Sequence, residues 1–132
     1  MKKIIRLAIL IAIIGVGAYM YINNYSKDDI YDIAISQIKE NVGKNAVIID
    51  VRTSEEYAEK HAEDAINIPL LDIQNGIKPD VPLDGIIYVY CKTGIRAKEA
   101  KAILEKDGFN NVINLTSLDN WEKIGGKVTT DN

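Results

Sequence analysis

Between residues 46 and 124 the apolar residues come in short unbroken runs, separated by stretches where they recur at helical spacing. Ala46-Val47-Ile48-Ile49-Asp50-Val51 and Ile86-Ile87-Tyr88-Val89-Tyr90 are too short for helices and apolar on both parities, as strands buried on both faces are. Ala65-Ile66-Asn67-Ile68, stopped by Pro69, and Val112-Ile113-Asn114-Leu115 are weaker strands, and Ile33-Ala34-Ile35 is an earlier candidate. Ser36 can cap a helix from Gln37 to about Val42, ended by Gly43. Thr53-Ser54-Glu55-Glu56 fits a capping box that opens a helix running to about Lys60. Ala97, Ala100 and Leu104 share one side of a helix reaching about Lys106 and closed by Gly108. A last short helix, Leu118 to Ile124, carries Trp121. Residues 72 to 85 hold Gly76, Pro79, Pro82 and Gly85 and read as loop. Strands alternating with helices predict an α/β fold, a central parallel sheet flanked by helices.

The amino terminus follows a different pattern. Lys2, Lys3 and Arg6 precede an uncharged apolar run from Leu7 to Ile22. As a helix that run spans about 24 Å, a little short of a hydrocarbon core of roughly 30 Å. Extension back to Ile4, with Arg6 snorkelling, closes most of the gap. Tyr19, Tyr21 and Tyr25 fall where a far interface favours aromatic residues. Val16-Gly17-Ala18 also fits a signal-peptide cleavage site, although the apolar run continues beyond it. An uncleaved anchor is the preferred expectation. Either reading exports the rest of the chain, because the positive charges precede the apolar segment. The expected organisation is an anchor or signal over 1–22, a polar linker over 23–29 and one domain over 30–132. The domain would lie extracytoplasmically at the cell membrane, or be periplasmic or secreted if the segment is cleaved.

Composition narrows the chemistry. A net charge of -3 argues against a general nucleic-acid binder. One cysteine and one histidine make neither an internal disulfide nor a Cys/His metal site.

The single cysteine is placed for chemistry. Cys91 directly follows the strand ending at Tyr90, and ligands of open α/β sheets bind beyond the carboxyl ends of strands. Lys92, Thr93, Gly94, Ile95 and Arg96 must then turn the chain into a helix. Such a turn can aim several backbone N–H groups at one point. Gly94 permits dihedrals closed to other residues. Thr93 offers a hydroxyl to the sulfur, and Arg96 a permanent charge. Together these favour thiolate over thiol and predict a nucleophile. A cysteine flanked by Lys92, Thr93 and Gly94 in a turn is not expected to lie in the core.

Three blocks, Asp50-Val51-Arg52, His61 with Ala65-Ile66-Asn67-Ile68-Pro69, and Cys91-Lys92-Thr93-Gly94-Ile95-Arg96, resemble the rhodanese (sulfurtransferase) domain family. The order and spacing of the blocks match over roughly 31–128, and small single-domain periplasmic rhodaneses are the nearest in pattern. The resemblance implies a transferase without cofactor. The Cys91 thiolate takes the outer sulfur of thiosulfate or a persulfide, releasing sulfite or a thiol, and passes it from a persulfide to cyanide or another thiol. It makes Cys91 and Arg96 catalytic and assigns Lys92, Thr93, Gly94 and Ile95 to substrate binding. With no second cysteine to form a disulfide, the acceptor comes from outside.

Two positions depart from the family pattern. Glycines are common where this chain has Lys60 and Asp64 around His61, and a Gly-Gly pair is common where it has Thr116-Ser117; both are backbone turns. His61 is expected to make a structural hydrogen bond. Asp50 and Arg52 read as a scaffold pair, Arg52 being placed to meet Glu55 or Glu56. Two other functions compete with sulfur transfer. One is a non-enzymatic tethered module binding sulfur species or a partner. The other is a cysteine-based phosphatase or arsenate reductase, disfavoured because such loops run Cys-x5-Arg and only four residues separate Cys91 from Arg96.

Overall fold

The computed structural model describes residues 27–131. Its elements, in order, are α1 (Lys27–Asn41), β1 (Ala46–Asp50), α2 (Ser54–Glu59), β2 (His61–Ala62), β3 (Ala65–Asn67), α3 (Leu70–Gln74), β4 (Ile86–Cys91), α4 (Ile95–Lys106), β5 (Asn111–Ser117), α5 (Leu118–Lys123) and β6 (Val128–Thr129). Four strands form a parallel sheet in the order β3-β1-β4-β5, and β2 pairs with β6 in a separate antiparallel ladder. The chain builds outward from β1 to β3, then crosses to β4 on the other side of β1. The order therefore reverses between β1 and β4, and a crevice opens beyond their carboxyl ends at such a point.

The two runs apolar on both parities fill two layers. Ile48, Tyr88 and Tyr90 face Trp121 and Leu118 of α5 with Ile35 and Ile38 of α1. Ile49, Val51, Ile87, Val89 and Cys91 face Ala97, Ala100 and Leu104 of α4. Parity thus assigns Cys91 to the α4 side. Inside the first layer, buried Asp50 and Arg52 neutralise one another, Arg52 Nη2 donating to Asp50 at 2.6 Å. Tyr90 Oη donates to Asp50 at 2.7 Å and accepts from Ala62 N–H at 3.0 Å. Burial first, and the adjacent Asp50 charge second, hold the Tyr90 hydroxyl far above its ordinary pKa, so it stays protonated as a donor.

The amino-terminal part of the domain corrects the sequence expectation. Residues 33–35 are helical, and α1 runs through Ser36 rather than starting there. The reason is packing: Ile35, Ile38 and Val42 recur at helical spacing against the sheet, which outweighs the strand preference of two isoleucines. Lys27–Asp29, expected as linker, belong to the same helix. Leu70–Gln74 form a short helix that overlaps the start of the 72–85 stretch expected to be loop, anchored by buried Ile73. The two-residue strands β2 and β6 are too short to leave a periodic signal. No helix of the described residues is long and apolar enough to cross a membrane. The Leu7–Ile22 run and the Val16-Gly17-Ala18 site lie outside those residues.

Candidate active site

Strand β4 ends in Cys91, and three residues later Gly94 turns the chain into α4 with φ of 94°, the left-handed region that favours glycine. The turn brings two backbone donors to the sulfur: Gly94 N–H at 3.0 Å and Ala97 N–H at 3.4 Å from Cys91 Sγ. The second is a first-turn helix amide with no carbonyl partner of its own. The amino end of a twelve-residue helix adds its positive dipole. On the opposite side the thiol approaches the Thr116 carbonyl at 3.7 Å.

Two expectations change here. The sulfur's donors are backbone amides, not the Thr93 hydroxyl; Lys92 and Thr93 are both exposed. And Cys91 is fully buried, although its loop neighbours are not. Strand parity turns the side chain inward against Ala97 before the chain leaves the sheet, so the thiol forms the floor beneath an exposed loop. Ile95, at 75% exposure, is the most exposed large hydrophobic side chain among the described residues and opens α4 directly after that loop.

Arg96 is not a free anion-binding charge. Its Nη1 and Nη2 donate to the two Glu56 oxygens at 2.7 and 3.0 Å, the two-pronged geometry that suits guanidinium to carboxylate. Glu56 also accepts the Thr53 N–H at 2.9 Å, while its own N–H donates to Thr53 Oγ1, completing the capping box of α2. The hydrogen bonds from Arg96, reinforced by Thr53, hold the Glu56 carboxyl down at about 2 against the opposing pull of burial. The pair is therefore charged throughout the neutral range. Arg52, expected to reach Glu55 or Glu56, turns inward to Asp50 and to the Lys60 carbonyl at 2.6 Å. Burial makes the difference: Asp50 is fully enclosed and would otherwise be an unpaired carboxylate.

His61 lies in β2, which pairs with β6 outside the four-stranded sheet. Its Nδ1 meets the Tyr57 carbonyl at 2.8 Å, and its ring stacks on Tyr57 with centroids 3.7 Å apart. These contacts include the kind of hydrogen bond expected of it from the sequence.

Of the four residues that depart from the glycine pattern, Lys60 and Ser117 are extended, with φ of -167° and -141°, and the other two take the conformation glycine favours. Asp64 and Thr116 are the described non-glycine residues with positive φ, at 66° and 74°. Aspartate tolerates this region, but β-branched threonine is strained there. Thr116 follows an irregularity in the β4–β5 register, where Val89 pairs with Asn114 and Tyr90 with Thr116. Asn114 Oδ1 accepts the Thr116 N–H at 2.7 Å and helps hold the turn. Relief of that strain outweighs the added freedom of the unfolded chain, so Thr116→Gly should stabilise the protein by about 0.5–1 kcal/mol. Urea unfolding tests this: the midpoint should rise at constant slope, and a lower midpoint would refute the strain.

Gly94 and Thr116 also touch. A Cβ on Gly94 would sit 2.8 Å from Thr116 Cγ2, closer than two carbons approach. Gly94→Ala adds that clash to an unfavourable φ and displaces the amide nearest the sulfur. The expected result is a loss of about 2–3 kcal/mol in stability and at least about tenfold in activity. An active, equally stable variant would mean the turn is not held by these contacts. Sequence reasoning placed the loop but missed Glu56 as the partner of Arg96 and Thr116 as the carbonyl facing the thiol. Only the Thr116-Ser117 departure carried a signal for the latter.

Comparison with known proteins agrees with this architecture. The model of the Rhodanese-like domain family matches residues 34–123. Thiosulfate sulfurtransferase PspE of Escherichia coli (strain K12) is 39% identical over 71 residues, 53% of this chain and 68% of that one. A probable molybdopterin-synthase adenylyltransferase of Porphyra purpurea is 30% identical over 101 residues, but this chain spans only 26% of its length. Among solved structures, a rhodanese with anions from E. coli superposes with a TM-score of 0.58 at 32% identity, covering 64% of this chain and 98% of that one. The Alr3790 protein from Anabaena sp. gives 0.65 at 26% identity, covering 74% and 77%. With the match covering most of the chain and the cysteine loop standing at the sheet's crevice, the chain belongs to the rhodanese-like domain family of sulfurtransferases.

Proposed function

We propose that the protein transfers sulfane sulfur through a persulfide on Cys91. The observation that carries this reading is the convergence of Gly94 and Ala97 N–H groups on Cys91 Sγ. The same donors that stabilise a thiolate can hold the terminal sulfur of a persulfide. The thiolate attacks the outer sulfur of thiosulfate or of an organic persulfide, and sulfite or a thiol departs with the electron pair of the broken S–S bond. Cyanide or an external thiol then removes the sulfur, restoring the thiolate. Gly94 shapes the cradle. Lys92, Thr93 and Ile95 form its exposed rim, where an arriving donor first meets the protein. Arg96, paired with Glu56, fixes the first turn of α4 and so the direction of the Ala97 amide. The groups in contact with the buried thiol, among them Thr116 on β5, must yield before a donor reaches it.

The thiosulfate-named relative supports thiosulfate as one donor. The Leu7–Ile22 segment supports attachment to the membrane with the domain outside the cytoplasm, or release after cleavage. The functional test is thiocyanate formation from cyanide with thiosulfate or an organic persulfide as donor. Turnover above the uncatalysed rate is the expected result. Its absence with every donor, in folded protein, would favour a binding module instead.

A further inference from the structure

A groove beside the loop is left unexplained by sulfur transfer as such. It is an open cavity of about 250 Å³, walled by Pro69, Leu70 and Leu71 with Thr53 and Arg96. Leu70 packs against the same apolar layer that contains Cys91, so the groove adjoins the thiol's surroundings. Leu71 remains 65% exposed there. The groove's full charge, Arg96, is already matched by Glu56 across bonds of 2.7 and 3.0 Å. A small dianion such as thiosulfate would find an apolar wall, the uncharged Thr53 and Gln74 side chains and a compensated guanidinium. Lys92, the loop's other cation, is exposed, so its attraction is screened by solvent.

Resting on the sulfur-transfer reading above, we infer that Glu56 is a positioning residue that sets donor choice: by neutralising Arg96 beside this apolar groove it favours sulfane-sulfur donors with an apolar organic group and a single charge over dianionic thiosulfate. The chemistry of the step is unchanged. The Cys91 thiolate attacks the outer sulfur of R–SO2–S⁻ or R–S–S⁻, the donor's S–S bond breaks, and R–SO2⁻ or R–S⁻ leaves with the electron pair. A Cys91 persulfide anion remains, with charge conserved and no external oxidant or reductant.

Glu56→Gln isolates the charge. Glutamine can still accept the Thr53 N–H in a capping box, so α2 keeps its start. The experiment measures kcat/KM for thiosulfate and for benzenethiosulfonate, with cyanide as acceptor, on the full chain at low and high salt. The two donors differ in intrinsic reactivity, so the readout is the change in their ratio between variants. Glu56→Gln should raise the ratio of kcat/KM for thiosulfate to that for benzenethiosulfonate about threefold to tenfold at low salt, fading at high salt, while any loosening of the α4 turn lowers both donors alike and cancels from the ratio. Leu71→Ala, an exposed change that does not threaten folding, should shift the ratio the same way by lowering kcat/KM for the organic donor. Equal factors on both donors in both variants would overturn the inference while leaving sulfur transfer standing. No reaction of the unmodified protein with either donor would overturn the sulfur-transfer reading, and this inference with it.

Discussion

Cys91→Ser is expected to abolish sulfur transfer while leaving the fold intact. Serine keeps the size and shape of the side chain, and its oxygen can still accept from the Gly94 and Ala97 amides that meet the sulfur at 3.0 and 3.4 Å. The site is fully buried, so exchanging thiol for hydroxyl costs some desolvation, but a partnered hydroxyl keeps that cost to about 1 kcal/mol. Chemistry is another matter. A hydroxyl without a general base is almost never ionised at neutral pH, and no other cysteine can take its place. Thiocyanate formation should fall by at least about a thousandfold, to the uncatalysed rate, with thermal unfolding shifted by only a few degrees. Retained activity would place the nucleophile elsewhere. A variant that fails to fold would show that the sulfur holds the α4 turn together, a role the backbone geometry does not require.

The largest expected effect on stability comes from the other side of the sheet. Asp50→Ala removes the acceptor of four separate donors: Arg52 Nε and Nη2, the Arg52 N–H at 2.9 Å, and the Tyr90 hydroxyl at 2.7 Å. The guanidinium, only 7% exposed with its residue, would keep the Lys60 carbonyl but lose its counter-charge. Breaking one half of a buried pair in this way costs about 3–5 kcal/mol, or roughly 15 °C or more in Tm for a domain of this size. Activity should fall with it for a definite reason. Asn67 Nδ2 donates to the Asp50 and Arg52 carbonyls at 3.0 Å, so this network fixes how β1 exits the sheet, and that exit delivers Thr53 and Glu56 to Arg96. Calorimetry of the variant decides the point, and a loss under about 1 kcal/mol would mean the network is dispensable.

Much of this arrangement is legible in the chain. The β1 and β4 runs could be read because strands buried on both faces lack alternation, and Thr53 to Glu56 because a capping box is a local signal. The positions of Asp64 and Thr116 could be flagged only through the family resemblance, whose pattern has glycine there, since neither residue type by itself signals a positive φ. What escaped reading was long-range. Arg96 and Glu56 lie 40 residues apart, and either of two arginines could have taken that carboxylate; burial of Asp50 decided it. The helical state of Ile33–Ile35 depended on a sheet surface supplied by distant strands. Burial of Cys91 depended on strand β4 extending one residue beyond its apolar run, which turned the thiol under the loop rather than out of it.

The central claim is that Cys91 carries transferred sulfur. Its most direct test is the intact mass of the protein after brief exposure to thiosulfate or benzenethiosulfonate, with Cys91→Ser treated in parallel. One sulfur atom is expected to add to the unmodified protein alone, and to be removed by cyanide as thiocyanate appears. A folded protein whose thiol still alkylates yet gains no sulfur from either donor, or a Cys91→Ser variant that gains it equally, would contradict it.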